Sequence, residues 1–185
     1  MWGTNQLGQV GGGGLEVLTP MQIGTTSWRT LAAYGMHTCG IQSDGSLWCW
    51  GDNEHGQLGL GNQVTTREPA RVDAGTWTTI STGGGHTCGI REDASLWCWG
   101  LNAAGQLGDG SETPKRSPVK VAGSGWARVA TGRAHTCGIQ SDDSLWCWGL
   151  NTAGQLANPN AGNSLRSPSR SLGSWTHVTA GDEFT

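Results

Sequence analysis

The chain has 185 residues, room for one sizeable domain or part of a larger one, and its 32 glycines argue for many tight turns and against long helices. Charged residues make up only 14% and the formal net charge is −3, so the composition carries no footprint for DNA, RNA or an anionic membrane, which attract basic clusters. No apolar run approaches the roughly 20 residues of a membrane helix, and "MWGTNQLGQVGGGG" has neither the basic nor the apolar region of a signal peptide.

The chain is organised as a repeat. Residues 1–27 contain "WGTNQLGQVG", which matches the later "WGDNEHGQLG" and reads as the tail of a preceding unit. Three whole units follow, at 28–76, 77–125 and 126–174, and residues 175–185 read as the front of a further one. Trp28, Trp77, Trp126 and Trp175 keep a step of 49, as do His37, His86 and His135, with Phe184 standing where the next His would be. Each "WCWG" is followed by a second shared phrase, "DNEHGQLG", "LNAAGQLG" or "LNTAGQLA", then a variable stretch and a Pro (Pro69, Pro118, Pro168). The frame suggests a piece of a longer chain, in which case the missing signal peptide says little.

Within a unit the strand candidates are "SWRTLAA", "HTCGIQ", "LWCWG" and, after the Pro, "PARVDA". Four strands in about 50 residues is the size of a propeller blade, and no 3.6-residue apolar period favours helices. The expected fold is all-β: propeller blades of four antiparallel strands, in an incomplete set of three full repeats with partial ones at both ends.

The cysteines recur in pairs. A three-residue turn at Ser43-Asp44-Gly45, with Gly45 left-handed, sets Gln42 opposite Ser46, Gly40 opposite Trp48 and Cys39 opposite Cys49. One face then carries His37, Cys39, Ile41, Leu47 and Cys49, the other Thr38, Gly40, Trp48 and Trp50. Gly40 is expected to give the Trp48 ring room. Ala94 and Asp143 replace Gly45 in the other copies, and the Ala turn is expected to differ in detail. Directly opposed cysteines are within disulfide range, which points to Cys39–Cys49, Cys88–Cys98 and Cys137–Cys147 and hence to an oxidising compartment: periplasm, cell surface or medium. Reduced buried thiols and zinc held through H-x-C-x9-C are the rival readings, the latter short of a constant fourth ligand.

The words "HTCGI-x-S-D-G-S-LWCWG-x-N-x-x-GQLG" resemble the regulator of chromosome condensation repeat over essentially the whole chain. The resemblance implies a β-propeller, usually of seven blades, which at 49 residues per blade needs about 340 residues. The cysteine pair resembles the secreted bacterial branch of the family. The family's best-known activity is guanine-nucleotide exchange on a small nuclear GTPase with chromatin binding, through loops and a basic tail that have no match here. A plant ultraviolet photoreceptor is another relative; its G-W-R-H-T would fall at "YGMHT", "GGGHT" and "GRAHT", with neither Trp nor Arg in place. A bacterial relative inhibits an enzyme through the propeller face, an analogy of fold alone.

Residues identical in every copy are expected to serve the fold: Trp48 and Trp50 by packing rather than as an aromatic platform, and His37, His86 and His135 by a repeated hydrogen bond rather than catalysis. Asn53, Asn102 and Asn151, with Gln57, Gln106 and Gln155, should brace the turn after the Trp strand. No phosphate loop or Ser/His/Asp set stands out, and no cofactor or metal is expected. Function should lie where the copies differ, in "LGNQVTTRE" (60–68), "DGSETPKRS" (109–117) and "NPNAGNSLRS" (158–167). They hold most of the unrepeated charges, and Arg67, Glu68, Asp109, Glu112, Lys115, Arg116 and Arg166 are the candidate partner-binding residues. The expected function is a non-enzymatic, extracytoplasmic (extracellular, cell-surface or periplasmic) binding module for a protein or surface glycan, without nucleic acid or membrane insertion. The rivals are a non-catalytic propeller part of a larger enzyme and an exchange-type regulator. Apolar end faces would also allow end-to-end self-association.

Overall fold

A computed structural model describes residues 1–185. After a short pair, β1 (Gly3–Thr4) and β2 (Glu16–Val17), three four-stranded antiparallel sheets follow one another. The first holds β3 (Trp28–Tyr34), β4 (His37–Gln42), β5 (Leu47–Gly51) and β6 (Thr66–Arg71). The second holds β7 (Trp77–Thr82), β8 (His86–Arg91), β9 (Leu96–Gly100) and β10 (Lys115–Lys120). The third holds β11 (Trp126–Thr131), β12 (His135–Gln140), β13 (Ser144–Leu150) and β14 (Ser164–Ser174). Each sheet is a meander in chain order. The first strands β3, β7 and β11 approach one another, while the fourth strands form the outer rim of an open arc. No helix is long and apolar enough to cross a membrane.

The central hairpin has the register that its turn dictates. Cys39 faces Cys49, Cys88 faces Cys98 and Cys137 faces Cys147, each pair disulfide-bonded with Cα atoms 4.1 Å apart. No cysteine is free, so the thiolates that zinc would need are absent. The second turn does not differ from the others, contrary to the sequence reading. Gly45, Ala94 and Asp143 all take positive φ (82°, 59° and 62°) and close the same hydrogen bond to residue i−3. The side chains of Asp44, Asp93 and Asp142 explain why Ala is tolerated. Each accepts from both the backbone N–H and the hydroxyl of the serine two residues on, which fixes the turn without help from the third residue.

Two further expectations are corrected. The space above Gly40 belongs to Leu31 and Trp28 of the first strand, not Trp48: a Cβ there would lie 2.6 Å from the Leu31 side chain and 2.7 Å from the Trp28 ring. Trp77 and Trp126 crowd Gly89 and Gly138 in the same way. The fourth strand begins before the proline rather than after it. Pro69, Pro118 and Pro168 lie within β6, β10 and β14, where an outer strand needs no inward N–H at that residue. A shift in register between Cys49 and Gly51 marks the bulge that accommodates it.

The core lies between sheets. The Cys39, Ile41, Leu47 and Cys49 face packs on Trp77 and Trp99 of the next sheet, and Cys88, Ile90, Leu96 and Cys98 pack on Trp126 and Trp148. Trp50, Trp99 and Trp148 are fully buried, whereas Trp48, Trp97 and Trp146 are half-buried with each Nε1 donating to the turn serine. Each blade therefore covers its neighbour's apolar face, the usual stability logic of a repeat protein.

Candidate recognition surface

The constant polar residues join blades. Thr87 Oγ1 donates to the Gln57 carbonyl, so its oxygen is left to accept from His37 Nε2 at 2.8 Å. The same link joins His86, Thr136 and Gln106, then His135, Thr185 and Gln155. The indoles of Trp99 and Trp148 donate to the Gln57 and Gln106 carbonyls as well. This arrangement makes Nε2 of each histidine the donor. Burial pushes the pKa of His37 down to about 4, against the pull of Asp52, and that of His86 down to about 3, with His37 and His135 adding to the effect. His135 is lowered by burial too. Asn53 and Asn102 also hold structure: Oδ1 accepts from the Leu58 or Leu107 amide, and Nδ2 donates to carbonyls of the following loop. Gln57, Gln106 and Gln155 each accept the backbone N–H two residues back.

The structure scatters the charged candidates. Arg67, Arg116 and Arg166 lie on the outer strands at one repeated position, so reading them as unrepeated loop charges is corrected. Gly8, Gly56 and Gly105 of the preceding units pack against their backbones, leaving no room for a Cβ. One extra residue in the third loop hid the repeat, yet "REPAR", "RSPVK" and "RSPSR" show it once the prolines are aligned. Arg67 donates to the Asn5 and Gln6 carbonyls, and Glu68 is exposed beside it. Asp109 of the loop pairs with Lys115 at the start of β10 at 3.4 Å. Burial alone would raise the Asp109 pKa, but hydrogen bonds from Ser111 and the charge of Lys115 outweigh it and hold the group below its ordinary value. Glu112 reaches across to Arg166 at 2.9 Å. Arg116 is exposed and has no side-chain partner.

The sequence reading missed a second set of variable residues. His37 pairs with Gly51, so the turn between first and second strands lies at the same end as the loop between third and fourth. These turns are Tyr34-Gly35-Met36, Gly83-Gly84-Gly85, Gly132-Arg133-Ala134 and Gly181-Asp182-Glu183, different in every copy. They stack: the Gly84 N–H donates to the Gly132 carbonyl, and a Cβ on Gly84 would run into the Arg133 backbone. The stack brings Tyr34, Gly84, Leu101, Arg133, Ala134 and Asp182 around one open cleft of about 330 Å³, with Met36 half-exposed nearby. Unrelated residues just before a constant "HT" were the signal available in the sequence.

The regulator of chromosome condensation (RCC1) repeat matches residues 44–90, 93–139 and 142–185. The Ultraviolet-B receptor UVR8 of Arabidopsis thaliana is 38% identical over 74 residues, covering 38% of this chain and 17% of its own length. Human WBSCR16 superposes with a TM-score of 0.88 at 21% identity, covering 98% of this chain and 50% of that one. Prp20p of Saccharomyces cerevisiae, whose crystal structure is described with its binding properties to Gsp1p and histones, gives a TM-score of 0.79 at 21% identity over 91% of this chain and 45% of its own. The chain thus spans half or less of each of these relatives, and the two structures share its propeller fold. With the motif matched across all three sheets, the chain belongs to the regulator of chromosome condensation (RCC1) repeat family.

Proposed function

We propose that the chain is a non-enzymatic recognition module that works outside the reducing cytoplasm. It holds a protein partner on the end where the first–second turns and third–fourth loops meet. The observation that carries this reading is the cleft where Tyr34, Arg133 and Asp182, side chains of turns that differ from copy to copy, are set side by side on constant scaffolding. The constant histidines, by contrast, are buried, neutral and hydrogen-bonded to threonine. Three disulfides support an oxidising compartment. Binding to Gsp1p and histones is a property described for Prp20p, and it supports a protein partner in kind, without identifying one.

The test is site-specific photo-crosslinking. A photoreactive side chain at position 36 should capture a defined protein from the native extracellular milieu, and Arg133→Glu should abolish that adduct while leaving the protein folded. Capture that survives Arg133→Glu, or that occurs only from a probe on the outer rim, would move recognition away from this end.

A further inference from the structure

The net charge of −3 conceals a segregation of charge. Seven of the eleven basic residues lie on the three outer strands: Arg67 and Arg71 on β6, Lys115, Arg116 and Lys120 on β10, and Arg166 and Arg170 on β14. Glu68 is the one acid among them; the other thirteen acids lie elsewhere, with four basic residues. The arrangement is regular. Arg67, Arg116 and Arg166 form one row across the blades, and Arg71, Lys120 and Arg170 a second, four residues on. An extended strand would separate the rows by about 13 Å, and the bulge in each outer strand draws them closer. All six are exposed. Arg116, Lys120 and Arg170 have neither a side-chain hydrogen bond nor an ion-pair partner. Asp44, Asp93 and Asp142 feel the charge of Arg71, Lys120 and Arg170, but they accept hydrogen bonds from the turn serines and form no ion pair with the second row. Lys115 and Arg166 are paired with Asp109 and Glu112, so free positive charge is greatest from Arg116 through Lys120 to Arg170.

We propose that this convex rim binds a linear anionic polysaccharide, with carboxylate or sulfate groups lying along the two basic rows from blade to blade. The surface differs from the turn-bearing end proposed to hold a protein. Charge complementarity identifies a polyanion. The outer strands carry no Trp, Tyr or Phe on which bases could stack, which disfavours single-stranded nucleic acid. The rim also lacks the apolar stripe that inserts into a membrane interface. The preference for a glycan over nucleic acid also rests on the extracytoplasmic reading above, but the test uses purified protein and is independent of compartment.

Fluorescent oligogalacturonate and dextran sulfate, as carboxylate and sulfate probes, should bind the full chain at low salt, and affinity should fall steeply as salt rises. Arg116→Glu/Lys120→Glu should weaken the better probe at least about tenfold, while Arg133→Glu leaves it within about twofold. The neutral pair Lys120→Gln/Arg170→Gln, which should weaken binding in the same direction, serves if charge reversal prevents folding. Absence of binding to both probes at low salt overturns the proposal, as does binding indifferent to the rim variants. Tighter binding to an oligonucleotide or to phosphatidylglycerol vesicles than to either probe overturns the glycan assignment. Loss of glycan binding with retained protein capture at position 36 separates this inference from the proposed function.

Discussion

Thr87 has one hydroxyl proton, and it goes to the Gln57 carbonyl; His37 must therefore arrive as a donor, and its burial keeps it neutral. The pH dependence follows. The folded pKa values of His37 and His86 lie below the unfolded value near 6.5, so their stabilisation is complete above that pH. It declines as pH falls from about 6.5 toward the folded values, by up to about 1.4 kcal/mol per pH unit for each histidine. Carboxylates change little between pH 7 and 5, which isolates the effect. Urea unfolding should show lower stability at pH 5 than at pH 7, and His86→Asn should shrink the difference even though it lowers stability at both. Equal stability of the wild type at the two pH values would contradict the buried-neutral assignment. Ala94 gives a second residue-level test. Its φ of 59° costs a non-glycine residue about 1–2 kcal/mol, offset partly by glycine's larger unfolded-state entropy. Ala94→Gly should raise stability by about 0.5–1 kcal/mol in chemical denaturation, and a loss would mean that the Ala methyl makes a contact worth more than the strain.

Each central hairpin is a closed element with a sequence separation of 10 between its bonded cysteines. Loop closure of that size stabilises by about 2–3 kcal/mol. The Cys88→Ala/Cys98→Ala pair should lower stability by about that much, with an added packing loss because the sulfurs lie in the core against Trp126 and Trp148. Differential alkylation of the native oxidised protein should find no free thiol. This element was legible from sequence: opposed cysteines, turn type and register all follow from "HTCGIQSDGSLWCWG" and alternation. The role of Gly40 was not legible, because the ring above it comes from Trp28, twelve residues away on another strand. The proline strand was misplaced because proline reads as a break, whereas on an outer edge its missing N–H costs nothing. Similar reasoning applies to Gly11, Gly59 and Gly108. Each underlies the indole of the next blade's Trp50, Trp99 or Trp148, a reason invisible until the blades are stacked.

At the scale of the whole molecule, constant residues form blade-to-blade links, variable ones decorate one end, and a repeated set of cations lines the rim. The repeat and the all-β class were readable from spacing alone. The turn-bearing end was half readable: the long loops stood out by length, but the short turns beside them did not, and it is the stacking of blades that gathers Tyr34, Arg133 and Asp182. The rim was unreadable from net charge, which sums over an asymmetry that only strand positions reveal. Positions recurring every 49 residues build the arc, and the turn residues do not. The most direct measurement is a display library of all single substitutions in the full chain, scored for protease resistance. Sensitivity should recur at His37, His86 and His135, at Gly40, Gly89 and Gly138, and at Trp50, Trp99 and Trp148, with Tyr34, Met36, Arg133 and Asp182 tolerant. Turn residues as sensitive as the histidines, or histidines freely replaceable, would contradict the division of labour on which the recognition surface rests.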